Sequence, residues 1–290
     1  MVNKAVVACA GLGTRMLPAT KVLPKELITI VDTPALQYIL QELVESGITE
    51  IEIVISPQKE IIRRYLTPDA ELEEILISQG RQEEIASLKR ILQSAEINFV
   101  YQREPLGSAH AIYEARKFVG REPFVVCLGD DLTCSDVPVA KQLIDLFDKK
   151  GGAVVGAKEI LTDEITSYGV IDALRSGDET VCRKIVEKPS LWQLPSRLAS
   201  IGRYVFTEEF FFSYERADFV GRERGIPDVI NLLSNKPVYV CKILGQRYDV
   251  GSKFGLAQAV VEYACRHRQI GKQFNEYLSK FAGESKFAGN

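Results

Sequence analysis

Paired cysteines are missing from this sequence. Its six (Cys9, Cys127, Cys134, Cys182, Cys241 and Cys265) include no Cys-x-x-Cys, so neither a zinc site nor a dithiol redox motif is visible. Cys9, Cys127, Cys182 and Cys241 fall within strand-like runs and read as small core residues. No apolar run approaches the roughly 20 residues needed to cross a bilayer. Met1-Val2-Asn3-Lys4 leads directly into a strand, so no signal peptide and a cytoplasmic location are expected. Basic excess is missing too: 36 Lys and Arg face 39 Asp and Glu, for a net charge of -3. That balance argues against a nucleic-acid partner, whereas a small anion needs only a local basic pocket. With no internal repeat and no low-complexity linker in 290 residues that are 46% hydrophobic and 26% charged, a single domain is expected.

What is present begins with Lys4-Ala5-Val6-Val7, a β-branched run that reads as a buried strand, followed by Ala10-Gly11-Leu12-Gly13-Thr14-Arg15. Glycines where a strand leaves a sheet let backbone N–H groups approach a ligand, at the edge where α/β sheets bind ligands. Thr14, Arg15 and Lys25 add donors and positive charge, which suits a polyphosphate. Met16 stands where a dinucleotide fingerprint needs its third glycine, and no Gly-Lys-Ser/Thr follows, so neither the dinucleotide nor the Walker A motif fits. A plain strand-to-helix turn would explain the glycines alone; it does not explain Arg15, Pro18 and Lys25 behind them.

Pro34 to Val44 has helical spacing and Ile51 to Ile55 reads as a strand, completing a right-handed βαβ unit. Residues 59–95 suggest two or three amphipathic helices whose glutamates form a solvated face. Strands are expected at Ile97–Tyr101 and Pro123–Leu128, with a helix over Ala109–Phe118. From Gly152 the period changes to two (153–157, 170–173, 181–186, 200–206), implying an antiparallel or mixed extension of the sheet. Pro237–Ile243 reads as one more strand, and a helix follows to about Gln269. The tail 282–290 is expected to be disordered.

Gly129-Asp130-Asp131 follows a buried strand at the same sheet edge as the glycine loop. Two successive carboxylates there fit a magnesium site, since that hard cation is held by one or two carboxylates plus substrate phosphates. Gln102 offers a donor and an acceptor to a uracil edge, and Gly107 lets backbone reach the ring; an exposed strand-end Gln is the plainer reading. His110 reads as a packing and hydrogen-bonding residue on a helix start. Asp249-Val250-Gly251 alone reads as an Asx-turn.

The run Ala10 to Lys21, with Pro24-Lys25-Glu26-Leu27 and Ile30-Val31-Asp32-Thr33-Pro34, resembles the signature of the sugar-phosphate nucleotidyltransferases. Within them it is most similar to the bacterial UTP:glucose-1-phosphate uridylyltransferase group, and the similarity extends to about Leu278. The resemblance implies a three-layer α/β/α Rossmann-like fold with a mixed, mostly parallel central sheet. It divides the domain, 1–281, into a nucleotide-binding half (1–150), a sugar-phosphate-binding half (151–252) and C-terminal helices (253–281) able to make an oligomer contact.

By the same resemblance, UTP and glucose 1-phosphate are the substrates, Mg2+ the cofactor, and a homodimer or homotetramer the assembly. Ala10, Gly11, Gly13, Thr14, Arg15, Lys25, Gln102 and Gly107 would bind the nucleotide. Asp130 and Asp249 would hold the metal. Asp131, Gly169 (in Tyr168-Gly169-Val170), Glu187, Lys188 and, more weakly, Arg203 would bind the sugar phosphate. Arg15, Lys25, Asp130 and Lys188 would carry the chemistry.

Two departures from the family pattern stand out. Gly129 replaces a usual Pro, which is expected to loosen the backbone. Gly225-Ile226-Pro227-Asp228-Val229-Ile230-Asn231 lacks both usual acids, although Asp228 could stand in for one. This keeps open another sugar phosphate or dTTP as substrate, and a non-catalytic nucleotide-sugar-binding regulatory protein.

Overall fold

The computed structural model describes residues 1–177, 179–219 and 223–283. Its strands are β1 (Lys4–Ala8), β2 (Thr29–Ile30), β3 (Thr33–Pro34), β4 (Glu50–Ile55), β5 (Glu96–Tyr101), β6 (Phe124–Leu128), β7 (Asp131–Cys134), β8 (Ala153–Glu159), β9 (Gly169–Ser176), β10 (Glu179–Glu187), β11 (Leu198–Phe206), β12 (Val238–Lys242) and β13 (Gln246–Asp249). Its α-helices are α1 (Ala35–Glu45), α2 (Glu60–Tyr65), α3 (Ala70–Ser78), α4 (Ala86–Ser94), α5 (Ser108–Glu114), α6 (Arg116–Val119), α7 (Val139–Lys150), α8 (Glu209–Arg216), α9 (Ile226–Ile230), α10 (Lys253–Arg266) and α11 (Gly271–Gly283). The expected helix over 109–118 is thus divided at Ala115. Helix α11 continues to Gly283, two residues into the expected tail, and 284–290 lie outside the described residues.

Among the described residues one nine-stranded sheet runs β5-β4-β1-β6-β11-β8-β12-β10-β9. The four strands β5, β4, β1 and β6 are parallel, so the carboxyl ends of β1 and β6 share one edge. That is the edge from which the glycine loop and Asp130 emerge. Strand β11 enters antiparallel between β6 and β8, and β10 is antiparallel to both β12 and β9. The sheet is therefore mixed, as expected. Its inter-strand pairings are not mostly parallel, however: the parallel ones are β1–β4, β1–β6, β4–β5 and β8–β12, against five antiparallel. Strand β9 also returns to pair with β11 at Val170 and Ala199, so the second half curls back on itself.

Alternate residues of the central strands feed two cores. Val7, Cys9, Ile51, Ile53, Val125 and Cys127 pack with Leu36, Ile39, Leu40 and Leu43 of α1 and Leu143 of α7 on one face. Val6, Val54, Phe124 and Val126 pack with Ile112 of α5, Phe210 of α8 and Val229 of α9 on the other. Because both faces are covered, these strands read as continuous apolar runs. No helix of the described residues is long and apolar enough to cross a membrane.

Inside the first core lies Arg203 of β11, 1% exposed. Its Nε and Nη2 each donate to Glu42 of α1 at 2.9 Å, and Glu42 Oε1 also accepts from the Ala140 N–H in the first turn of α7 at 3.0 Å. One carboxylate thus joins a strand and two helices. Arg203 was expected to face sugar phosphate; the structure corrects this, because its guanidinium is buried under α1 and satisfied there. Removing one member of such a pair strands a buried charge, so Glu42→Ala should cost about 3–5 kcal/mol. That loss would appear as a lower urea midpoint at unchanged slope, largely recovered in the Glu42→Leu/Arg203→Met double variant.

Glu52 of β4 is 9% exposed, and burial pushes its carboxyl up to about 7. A raised folded-state value means that the neutral form is favoured by folding. The contribution to stability is full below about pH 4.3 and is lost as pH rises through 7. Glu52→Gln should therefore be more stable than the parent by on the order of 2 kcal/mol at pH 8 and no more stable at pH 4.5, read by urea unfolding at both values.

Candidate active site

The site is built from the ends of β1, β6 and β13. After β1 the chain turns through Gly11 and Gly13, whose φ of 68° is the left-handed conformation that glycine adopts without strain. The Gly13 carbonyl accepts from Thr20 Oγ1 at 2.8 Å, which ties Thr20 to the loop. Ala10 is buried, while Gly11 and Thr14 are exposed. A Cβ on Gly11 would lie 3.8 Å from Lys25 Nζ, placing that ammonium beneath the loop.

Lys25 Nζ donates to Asp130 Oδ2 at 2.5 Å. Arg15 Nη1 donates to Asp249 Oδ2 at 2.7 Å, and its Nη2 lies 3.2 Å from Asp249 Oδ1 and 3.5 Å from Asp130 Oδ2. Two cations and two carboxylates from three distant parts of the chain therefore meet at one point. Burial would raise the Asp130 carboxyl, but the Lys25 charge and hydrogen bond, with Arg15 and Arg247, outweigh it and hold the group below the usual range. Burial opposes the charge on Lys25, and Asp130 and Glu26 more than restore it.

Under this quartet lies a second ion pair. Glu26, fully buried, accepts from Lys59 Nζ at 2.9 and 2.8 Å, and the same ammonium donates to the Cys9 carbonyl at 2.7 Å. The pair ties the segment carrying Lys25 to the end of β1 and to the turn after β4. Gly129 fits against it: a Cβ there would lie 2.8 Å from Cys9 Sγ and 2.9 Å from Glu26 Cγ. A side chain at this position would force those neighbours to shift.

Asp131 departs from its expected role. It is 4% exposed, its carboxylate accepts from Arg247 Nε at 3.0 and 2.8 Å and from the Gly202 N–H at 3.0 Å, and it faces Asp249 across the β7–β13 ribbon. Asp130 lies in the turn between β6 and β7 and reaches Lys25, whereas Asp131 opens β7 and is taken up by Arg247. Asp131 holds Arg247, whose guanidinium stacks 4.6 Å from the Tyr168 ring.

Of the sugar-side candidates, Gly169, Glu187 and Lys188 come together. A Cβ on Gly169 would lie 2.9 Å from Ile185 Cγ2, 3.1 Å from Glu187 Oε2 and 3.6 Å from Pro227 Cγ. Lys188 is exposed, with its Nζ 3.6 Å from Glu187 Oε1, and takes a left-handed φ of 44°. A lysine rarely adopts that conformation, and such outliers cluster at functional sites. Burial, and the nearby Glu223 and Asp228 charges against Lys188, raise the Glu187 carboxyl. Gln102 is buried with its amide nitrogen 2.9 Å from the Gly107 carbonyl, at the mouth of the glycine loop's neighbour segment 102–110.

A family model described as nucleotidyl transferase matches residues 4–265. The chain belongs to that family. It is 38% identical over 282 residues to a UTP–glucose-1-phosphate uridylyltransferase of Staphylococcus epidermidis, covering 96% of this chain and 98% of the relative. It is 39% identical over 280 residues to the Bacillus subtilis protein of the same name, with 96% of each covered. Among solved structures it is similar to a UTP-bound UGPase from Acinetobacter baumannii, with 32% identity, 97% and 99% of the two chains covered and a TM-score of 0.89.

For a nucleotidyl transferase the informative surprises are Lys59, Arg247 and Glu42, none of which sequence reasoning singled out. Each is an ordinary charged residue with no motif of its own, and only its buried partner marks it. Gly251 has a visible signal, the Asp-x-Gly spacing: a Cβ there would fall well inside contact distance of Asp130 Oδ2 and 2.8 Å from Arg15 Nη2. Those atoms end side chains and can move, so Gly251→Ala should fold with a stability change within about 1 kcal/mol. Displacing the carboxylate should still lower turnover by on the order of 100-fold, measured by steady-state release of pyrophosphate.

Proposed function

We propose that this protein transfers the uridylyl group of UTP to α-D-glucose 1-phosphate, giving UDP-glucose and pyrophosphate. The observation that carries the reading is the quartet of Arg15, Lys25, Asp130 and Asp249 at the mouth of the glycine loop. The names of relatives at 38–39% identity over nearly the whole chain support it.

Both substrates are polyanions, and the protein must offset their repulsion while aligning them. In this reading Gly11, Gly13 and Thr14 offer N–H groups to the triphosphate. Arg15 and Lys25, poised against carboxylates, turn to its oxygens. Gln102 and Gly107 receive the base, while Gly169 and Glu187 line the sugar pocket, with Asp228 beside Glu187 replacing a family acid. Lys188 holds the attacking sugar phosphate. An oxygen of that phosphate forms a bond to the α-phosphorus in line with the bridging oxygen to the β-phosphate, which leaves with its electron pair on pyrophosphate; no residue is covalently modified.

Asp130 and Asp249 fit Mg2+. They are hard oxygen donors with little exposure that already share a cation, and among the described residues no third acid, His or Cys joins them. Such a site leaves the remaining positions to phosphate and water. When bound there, Mg2+ supplies positive charge to the α-phosphate and the leaving pyrophosphate.

The architecture fits a three-layer α/β/α Rossmann-like arrangement in which 1–150 serve the nucleotide and 151–252 the sugar phosphate. Assembly as a homodimer or homotetramer is supported by the aromatic stripe of Phe274, Tyr277 and Phe281 on α11, with Tyr277 55% and Phe281 46% exposed.

Incubation with UTP or dTTP, Mg2+ and a panel of sugar 1-phosphates tests the reading. Pyrophosphate should appear with UTP and glucose 1-phosphate; its absence from every combination would overturn the assignment. Lys188→Ala should keep UTP binding and lose at least about 100-fold in turnover, since a removed positioning charge acts on the aligned state.

A further inference from the structure

Gln102 follows β5 directly and is 5% exposed. Its amide nitrogen donates to the Gly107 carbonyl at 2.9 Å and lies 3.0 Å from His110 Nδ1. A carbonyl can only accept, so the atom facing Gly107 is the nitrogen, and its second hydrogen has an acceptor only if Nδ1 carries no proton. The other ring nitrogen, Nε2, meets Glu114 Oε1 at 3.1 Å. A carboxylate likewise only accepts, so the proton of the neutral ring belongs on Nε2. The row Glu114, His110, Gln102 has one self-consistent arrangement of protons, and among the described residues it leaves Oε1 as the amide atom free for a ligand.

We propose that His110, itself held by Glu114, is a specificity-positioning residue that locks the Gln102 amide with its oxygen toward the nucleobase, selecting uracil over cytosine. The inference rests on the reading above that Gln102 meets the base. Uracil carries N–H at ring position N3 and can donate to Oε1, whereas cytosine carries a lone pair there and opposes it. An amide free to turn over would serve either base, so discrimination requires that it be held.

The surroundings keep the ring neutral. Burial is the largest influence and disfavours the imidazolium, and the charge of Arg224 acts in the same direction, while Glu114 and Glu104 act against them; the net shift is below the ordinary histidine value. Tyr214 of α8 covers the ring at a centroid distance of 6.4 Å. Arg224 is fixed there by its own backbone: its N–H donates to the Leu106 carbonyl at 2.7 Å, and its carbonyl accepts from the Ala109 N–H at 2.9 Å. The segment is therefore strapped to the chain that carries Gln102 and His110.

UTP and CTP are the probes, in pyrophosphate release with glucose 1-phosphate and in calorimetric binding of each nucleotide alone, using the parent, His110→Ala and His110→Asn. Asn places an acceptor oxygen where Nδ1 stood. The parent should prefer UTP; His110→Ala should lose about tenfold or more of that preference, in KM and Kd more than in kcat, and His110→Asn should restore most of it. Preference unchanged within about twofold in a folded His110→Ala would overturn the proposal.

A pH series supplies a readout that misfolding cannot imitate. As pH falls from about 8 to 5.5, Nδ1 gains a proton and confronts the amide hydrogens, so the UTP-to-CTP affinity ratio of the parent should fall. In His110→Asn the ratio should stay flat. Titration of the triphosphate is common to both nucleotides and cancels in the ratio, so a flat ratio in the parent would count against the proposal. If the parent releases no pyrophosphate yet binds UTP over CTP in a way that His110→Ala abolishes, the reaction assignment falls and this inference stands. Turnover of UTP with an intact preference in His110→Ala upholds the reaction assignment and overturns this inference.

Discussion

Everything at the working edge of this molecule is arranged around the confinement of two carboxylates and two cations within a few ångströms. At about 3 Å and an effective dielectric near 20, each unlike pair attracts by about 5 kcal/mol, and the like pairs repel on a similar scale. Neither the acids nor the cations could be gathered there alone. Together Arg15, Lys25, Asp130 and Asp249 are neutral, which lets residues up to 234 positions apart close on one another. A site of this kind suits the exchange of ions: in the proposed reaction a magnesium–nucleotide complex would bring both signs at once, so cations and carboxylates could change partners with little alteration in net charge.

That confinement needs a floor, and the Glu26–Lys59 pair supplies it. Lys25 is positioned because its neighbour Glu26 is buried and bonded, and the loop is positioned because Lys59 also holds the Cys9 carbonyl. Buried ion pairs are weak sources of stability, but breaking one is costly. The arrangement is thus better at fixing a geometry than at stabilising a fold. Gly129 and Gly251 belong to the same argument, since a Cβ would press on Cys9 and Glu26 at the first and on Asp130 and Arg15 at the second.

Most of the sheet was legible because β-branched runs and Gly-rich turns are local signals. The glycine loop, Lys25, Asp130 and Asp249 were legible because their spacing repeats a family pattern, and the structure brings those four together. Arg203 and Asp131 were misread for one shared reason. Residue type shows what a side chain can do, and it does not show which way a strand turns it. Every residue of β11 from Ala199 to Phe206 is buried, so no alternation marks the side on which Arg203 lies. Asp131 follows Asp130 in sequence, yet it opens β7 and pairs with Arg247, while Asp130, in the turn before that strand, goes to Lys25. Lys59, Arg247 and Glu42 were illegible because their partners lie far away in the chain and no local pattern announces a long-range pair.

The segment from 225 to 231, where the family pattern fails, is rebuilt around other contacts. Pro227 falls in the first turn of α9, where the missing N–H has no intrahelical partner to lose. Asp228 accepts from the Gly225 N–H at 3.2 Å. Asn231 grips β10 with both ends of its amide, accepting from the Ile185 N–H at 2.8 Å and donating to the Ile185 carbonyl at 2.9 Å, two residues before Glu187. At its other end the segment continues into Arg224, which pairs with the backbone of Leu106 and Ala109. One short stretch thereby joins the segment that carries Gln102 and Gly107 to β10, which ends at Glu187 just before Lys188. Because those joints are backbone hydrogen bonds and one bidentate amide, their geometry depends little on the acids that the family usually places here. The two ends of this stretch can thus stay in register while the side chains between them change.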